Sequence, residues 1–280
     1  MSKLFGRSWE IVVGTPAQGY LDLSDLAISF EVKKSLRPEP NTCEMVISNL
    51  APATRKAITT PKALDVRILA GYGGQNALVY RGQVRTLAPG EVEGADINTQ
   101  LSSGDGEKTQ QTVRLNVPVG PGMKSGDVLN AIANALGVGI GNLANFVSKL
   151  NASGAAIYPR PTAITGYGWN RLLDLCRAAN LEVSIQDGAL LFLDLGQPLQ
   201  TMPYVLGSDS GLIGSPKRDN DGRVTIETLM LPQIRCGQSV QIQSRNVTAT
   251  MRVAEQTIKG DTWVDDWGMT HTLDKPGVKI

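Results

Sequence analysis

The sequence predicts a mainly β chain in which two small antiparallel β-barrel domains flank an α+β insert. Three observations predict it. Apolar and polar residues alternate with period two through most of the first 117 residues, the mark of strands with one buried face. Helical spacing replaces the alternation from residue 124. Alternation then returns at Val224 and Ile226, at Val240 and Ile242, and at Met251 and Val253. The expected domains are residues 1–117, 118–204 and 205–280.

In the first domain Ile28, Phe30 and Val32 alternate with Ser29, Glu31 and Lys33. Cys43, Met45 and Ile47 repeat the pattern, as do Leu64, Val66 and Ile68. Leu78, Tyr80 and Val84 oppose Val79, Arg81, Gln83 and Arg85. Ile97, Thr99 and Leu101, then Val113, Leu115 and Val117, complete the set. Arg37-Pro-Glu-Pro40, Gly71-Tyr-Gly-Gly74 and Ala88-Pro-Gly90 are read as separators. A barrel is expected because closure removes aggregation-prone edges. One connection is unusual. In CEMVISNLAPATRKAIT a strand over 43–49 passes into a short helix over 52–58: Asn49 turns the chain, Pro52 suits a first helical turn, and Pro61 stops it. That helix is expected to cover one end of the barrel.

In the insert, Val128, Leu129, Ile132 and Leu136 share one face of a helix over 124–136, with Ser125 as its N-cap and Gly137 as its stop. Trp169, Leu172, Leu173, Cys176 and Ala179 form a second stripe. Residues 137–165, rich in Gly, Ala, Asn and Ser, give no clear period. Residues 181–186 and 189–195 flank Asp187-Gly188, a hairpin signal. In the last domain Asn220-Asp-Gly222 marks a further turn.

The 280 residues carry 27 Lys and Arg against 26 Asp and Glu, a net charge of +1, which argues against a dedicated nucleic-acid binder. His271 is the single histidine, and Cys43, Cys176 and Cys236 are widely spaced with no C-x-x-C, so no zinc or redox motif is visible. A disulfide framework is not expected, and assembly in a reducing compartment fits. The N-terminus lacks a signal-like apolar stretch, and the longest apolar run, 189–193, is far too short to span a bilayer. The glycosylation-like triplets at Asn151 and Asn246 are read as chance.

Gly137-Val-Gly139-Ile-Gly141-Asn142 has the wrong spacing for a dinucleotide loop and follows a helix instead of a strand. Gly104-Asp-Gly106-Glu-Lys108 lacks the Gly-Lys-Ser/Thr of a phosphate loop and reads as a polar turn. Asp265-Asp266 and Asp219 with Asp221 are carboxylate pairs in turn-like contexts, and His271 sits in an alternating strand. No catalytic, cofactor-binding or metal-ligating residue is assigned, and no cofactor is expected. Ser125-Gly-Asp-Val-Leu-Asn-Ala-Ile-Ala133 resembles the start of a LysM peptidoglycan-binding module, although a capped amphipathic helix explains the same residues.

Three stretches resemble one family. Asn49-Leu-Ala-Pro-Ala-Thr-Arg55, following its strand, is similar to a pattern of phage tail hub proteins. Gly211-Leu-Ile-Gly-Ser-Pro216, with residues 221–232 and 234–242, is similar to their Gly-Ser-Pro … Leu-Leu-Asn-Pro … Gly-x-x-Val run, with Met230-Leu231 in place of Leu-Asn before Pro232. Residues 251–262 with Trp267-Gly-Met-Thr270 resemble the closing hairpin, with a Lys where a His is common.

The resemblance implies a baseplate hub of a contractile-tailed bacteriophage, akin to late control protein D and the base of type VI spike proteins. It implies a homotrimer whose six β-barrels make a pseudo-sixfold ring between the hexameric tail tube protein and the trimeric central spike protein, with the insert outside. It further implies contact with the tape measure protein and other baseplate proteins, and DNA passing the channel without specific binding. The location implied is the virion tail baseplate, assembled in the bacterial host cytoplasm. Two alternatives stand beside it. One is a tail-associated peptidoglycan-binding or wall-degrading protein, for which the LysM-like helix start and the paired carboxylates speak. The other is the hub of a tailocin or type VI-like injection machine.

Overall fold

The computed structural model describes residues 6–59, 64–93, 96–152, 158–199 and 202–278. The N-terminal β region comprises β1 (Arg7–Thr15), β2 (Gly19–Asp22), β3 (Ile28–Ser35), β4 (Thr42–Ser48), α1 (Pro52–Thr59), β5 (Asp65–Tyr72), β6 (Gln75–Glu93) and β7 (Asp96–Gly104), followed by α2 (Glu107–Thr112). The insert is β8 (Arg114–Val119), α3 (Ser125–Leu136), α4 (Leu143–Ala152), β9 (Thr162–Tyr167), α5 (Gly168–Ala178), β10 (Leu181–Gln186) and β11 (Ala189–Asp194). The C-terminal β region is β12 (Tyr204–Leu206), β13 (Leu212–Arg218), β14 (Val224–Thr228), β15 (Ser239–Gln243), β16 (Thr248–Asp261) and β17 (Trp267–Asp274).

The chain is thus mainly β with an α+β insert. The two β regions are hydrogen-bonded into one 13-stranded sheet, in the order β13-β14-β17-β16-β3-β4-β7-β6-β5-β1-β2. Strand β15 branches off β16, and β12 lies parallel to β15. The join is the antiparallel ladder from Glu255↔Ser35 to Asp261↔Ser29. The 14-residue β16 makes it possible. Its first residues pair with β15 up to Arg252, a register irregularity falls between Val253 and Glu255, and from Glu255 onward it pairs with β3. Phe30, Val32, Met45, Ile68, Val253 and Ile258 belong to one buried apolar cluster spanning both regions. A second cluster, with Val128, Leu129, Ile132, Leu172 and Phe192, fills the insert.

The strand-to-helix join falls where expected. Asn49 takes a left-handed φ of 57°. Its side chain accepts from the Ile97 amide at 3.1 Å and donates to Asp96 at 2.7 Å. Leu50 and Ile58 are each only 2% exposed, so the connection covers core, and burying each side chain stabilises by about 1.5–3 kcal/mol. The expected stop at Pro61 lies outside the described residues.

Four local expectations are corrected. The alternation of Val113, Leu115 and Val117 predicts a strand of the first β region, but β8 pairs with β9 and Leu115 joins the insert core. The physical reason is α2, which carries the chain off the sheet after Gly104. Ser125 is not the N-cap of α3: Lys124 is, in an extended conformation, and Ser125 is buried in the first turn. Residues 88–90 do not separate strands. They lie inside β6, whose register against β7 shifts between Ala88 and Glu91. Residues 137–165, which gave no clear period, hold α4 and part of β9.

Candidate functional site

Asp265 and Asp266 are exposed in the loop joining β16 to β17, where Asp265 pairs with Arg7 at 2.9 Å. The Asp219 carboxylate accepts from the Arg223 amide at 2.8 Å within its own turn. Asp219 thus organises its own turn, and Asp265 ties its loop to β1. The 137–142 segment staples the insert together. The Asn142 side chain donates to the Phe192 carbonyl at 2.7 Å and accepts from the Phe192 amide at 2.8 Å. Gly141 is obligatory there, since a Cβ would lie 1.9 Å from the Leu190 carbonyl oxygen.

His271 lies on β17 and is wholly buried. The Gln256 amide nitrogen donates both to the Ile234 carbonyl at 2.8 Å and to His271 Nδ1 at 3.0 Å. The Ile234 oxygen can only accept, which fixes the Gln256 orientation and puts the imidazole proton on Nε2. Nε2 then donates to Thr228 Oγ1 at 2.9 Å, and that hydroxyl donates to the Leu229 carbonyl at 2.9 Å. The Cys236 thiol closes the other end by donating to Gln256 Oε1 at 3.5 Å. Every member is neutral, and burial pushes the His271 pKa down to about 4. The same burial pushes the Cys236 and Cys176 thiols up to about 12, and all three cysteines are free and buried.

The charged groups that matter lie outside the carboxylate-pair motifs of the sequence. Lys34 occupies the inward phase of β3 and is 7% exposed, with its ammonium 2.5 Å from Asp187. Asp187 and Gly188 form the β10–β11 turn with φ of 56° and 84°, the doubly left-handed geometry expected of a two-residue hairpin. The Gly188 amide donates to Asp105 Oδ1 at 2.9 Å, while Asp105 Oδ2 is buried without a partner. Burial first, and the Asp187 charge second, push the Asp105 pKa up to about 7. Asp105 is therefore no solvated turn residue, as the sequence had it. Asn41 completes the junction by donating to the Ile185 carbonyl at 2.8 Å. Beside it a cleft of about 400 Å³ separates the insert from the sheet, lined by Lys34, Asn142, Asp187, Arg235 and Cys236.

A second anchor uses Arg252, which alternation placed on an outward face but which is fully buried. It pairs with Glu182 at 2.6 Å and donates to the carbonyls of Gln197 and Val278. Trp169 adds a third tie, donating to the Pro38 carbonyl at 3.1 Å. The insert is held against both β regions by buried polar contacts. Among the described residues there is no cluster of three metal-ligating side chains, and no helix is long and apolar enough to cross a membrane.

Two exposed features complete the surface. At the β16–β17 loop Trp263 is 79% and Val264 58% exposed. At the opposite end of β16 a groove of about 580 Å³ is lined by Ser208, Leu212, Ser215, Gln243, Arg245 and Asn246.

Comparison with known proteins places this geometry. No protein-family model and no curated protein matches the sequence. Among solved structures, a tail protein from Neisseria meningitidis superposes with a TM-score of 0.63 at 11% identity, covering 98% of this chain and 98% of that one. A prophage tail protein from Shewanella oneidensis gives a TM-score of 0.61 at 9% identity, covering 96% of this chain and 97% of that one. A type VI secretion component of Escherichia coli, itself described as similar to bacteriophage T4 tail proteins, gives 0.53 at 9% identity over 89% of this chain and 73% of that one. The chain has the fold of phage tail proteins and of their type VI secretion relatives.

Proposed function

We propose that the chain is a structural adaptor of a phage tail baseplate. In this reading three copies form a pseudo-sixfold ring that joins the hexameric tail tube to the trimeric central spike around a central channel. The observation that carries it is the fold match to the Neisseria tail protein, which runs over 98% of both chains and leaves no large part of this one unaccounted for. The fused sheet supports it: the β regions hydrogen-bond to each other through β3 and β16, and the insert is tied to both, as an adaptor that transmits force requires. Near-neutral charge suits a channel past which DNA slides. The same fold occurs in phage tail and type VI secretion proteins, and the reading extends to the hub of a tailocin or type VI-like machine. The test is the mass of the purified protein alone and mixed with its tube and spike proteins. A trimer that bridges the two is expected, and a chain that stays monomeric in every mixture would sink the reading.

A second reading concerns the insert alone. The stretch that resembles a LysM start opens α3 within β8-α3-α4-β9, whose two strands pair antiparallel and whose core is shared with α5, β10 and β11. Peptidoglycan binding by this unit predicts co-sedimentation of the protein with purified cell-wall sacculi, and a protein that stays wholly in the supernatant excludes it.

A further inference from the structure

The two ends of β16 carry complementary surfaces, and we propose that they dock copy to copy, the Trp263 tip of one chain entering the Arg245 groove of the next. The tip is apolar, exposed and rigid. Asp261 Oδ1 accepts from the amides of Trp263 and Val264 at 2.8 and 2.9 Å. Thr262 Oγ1 accepts from the Ile28 amide at 2.9 Å and donates to the Leu26 carbonyl at 3.1 Å. Arg7 donates to the Val264 carbonyl at 2.7 Å. A loop so fixed loses little conformational freedom on binding. An exposed, preorganised Trp is the residue type that anchors interfaces.

Charge chooses the partner. Asp265 and Asp266 directly follow the apolar pair, and Asp266 has no ionic partner among the described residues. The groove offers Leu212 for the indole and Arg245 for the carboxylate. Arg245 is exposed and likewise has no ionic partner among the described residues. Asp209, beside Gly207, offsets part of that positive charge. A volume of about 580 Å³ lies within the range of sites that enclose a ligand of this size.

Within one chain the two surfaces cannot meet. The 14 residues of β16 at ~3.3 Å each hold them roughly 45 Å apart. Complementary patches at opposite ends of one rigid element make a head-to-tail contact, which closes into a ring when the rotation between copies allows. The number of copies in that ring rests on the adaptor reading, while the contact itself does not.

The test is the full chain carrying Val264→Cys and Asn246→Cys together. The native cysteines are buried, so disulfides formed under mild oxidation report on the new pair. A ladder of linked oligomers is expected for the double variant and monomer for each single one. Trp263→Ala, at an exposed site, should keep the wild-type circular dichroism spectrum and weaken self-association at least tenfold by sedimentation. Arg245→Glu and Asp266→Arg should each weaken it, and the two together should restore it. An oligomer that persists in Trp263→Ala, with no ladder, overturns the contact and leaves the adaptor reading standing. Dimers of the Val264→Cys single variant would mean tip-to-tip pairing and overturn it too. A wild-type chain that is monomeric alone yet trimeric with tube and spike also removes the contact without touching the adaptor reading.

Discussion

Two of the buried polar centres are built on opposite plans. The Lys34–Asp187–Asp105 centre is charged and lies between the sheet and the insert. The Cys236–Gln256–His271–Thr228 chain is neutral and lies within the C-terminal β region. The charged centre ties together segments far apart in sequence and carries an unpartnered carboxylate oxygen. In the neutral chain the donors and acceptors follow one another in a single direction. A charged junction specifies where two units meet at some expense of stability, whereas a neutral network settles a core without strong pH dependence near neutrality.

The largest effect should come from breaking the charged centre on one side. Lys34→Met leaves Asp187 and Asp105 buried without a cation and should destabilise by about 3–5 kcal/mol in urea unfolding at pH 7.5. Adding Asp187→Asn to it should recover a large part of that loss. A double variant as unstable as Lys34→Met would deny the pair its role.

Next in size is His271. Its folded pKa of about 4 lies below the usual 6.5, so the unfolded chain binds the proton first. Its contribution is intact above pH 6.5 and is lost as pH falls toward 4, reaching roughly 3 kcal/mol. Asp105 works the other way. Its folded pKa of about 7 lies above the usual 3.8, so acidification from pH 7 toward 4 stabilises the folded chain. The two slopes oppose each other over most of this window. In the wild type the curve should be shallow. His271→Gln should leave a protein that gains stability on acidification, and Asp105→Asn one that loses it. Equal slopes in the two variants would break the comparison. At pH 8 Asp105→Asn should itself stabilise by about 1–2 kcal/mol, because it removes a buried charge and keeps an acceptor for the Gly188 amide. The smallest effect is Trp263→Ala, within ~0.5 kcal/mol of wild type in the same unfolding measurement when both are dilute enough to be monomeric.

Much of the sheet was legible because alternation reports a buried face directly. Lys34 was legible too: it continues the inward series Ile28, Phe30 and Val32, and a charge in that phase needs a buried partner. Leu143, Phe146, Val147 and Leu150 of α4 stand at helical spacing, masked by the Gly, Asn and Ser around them. Other features had no local signal. Arg252 looks outward-facing in its own strand and is buried by Glu182, 70 residues away. Asp105 sits between glycines that read as a solvated turn, and its burial comes from a hairpin tip far along the chain. The pattern at 113–117 gives a strand correctly and cannot name its partner, since period two marks a face and not a neighbour.

Strand β16 has a mechanical consequence. Ladder hydrogen bonds run perpendicular to the strands they join. A force directed along β16 therefore shears its ladders with β3, β15 and β17 together, so many bonds share the load. A force directed sideways at a sheet end meets β2 or β13 and opens one ladder bond at a time. The molecule is stiff along one axis and weak across it. Pulled by its two ends of β16 in a single-molecule experiment, it should yield abruptly at high force; pulled from β13, it should unzip.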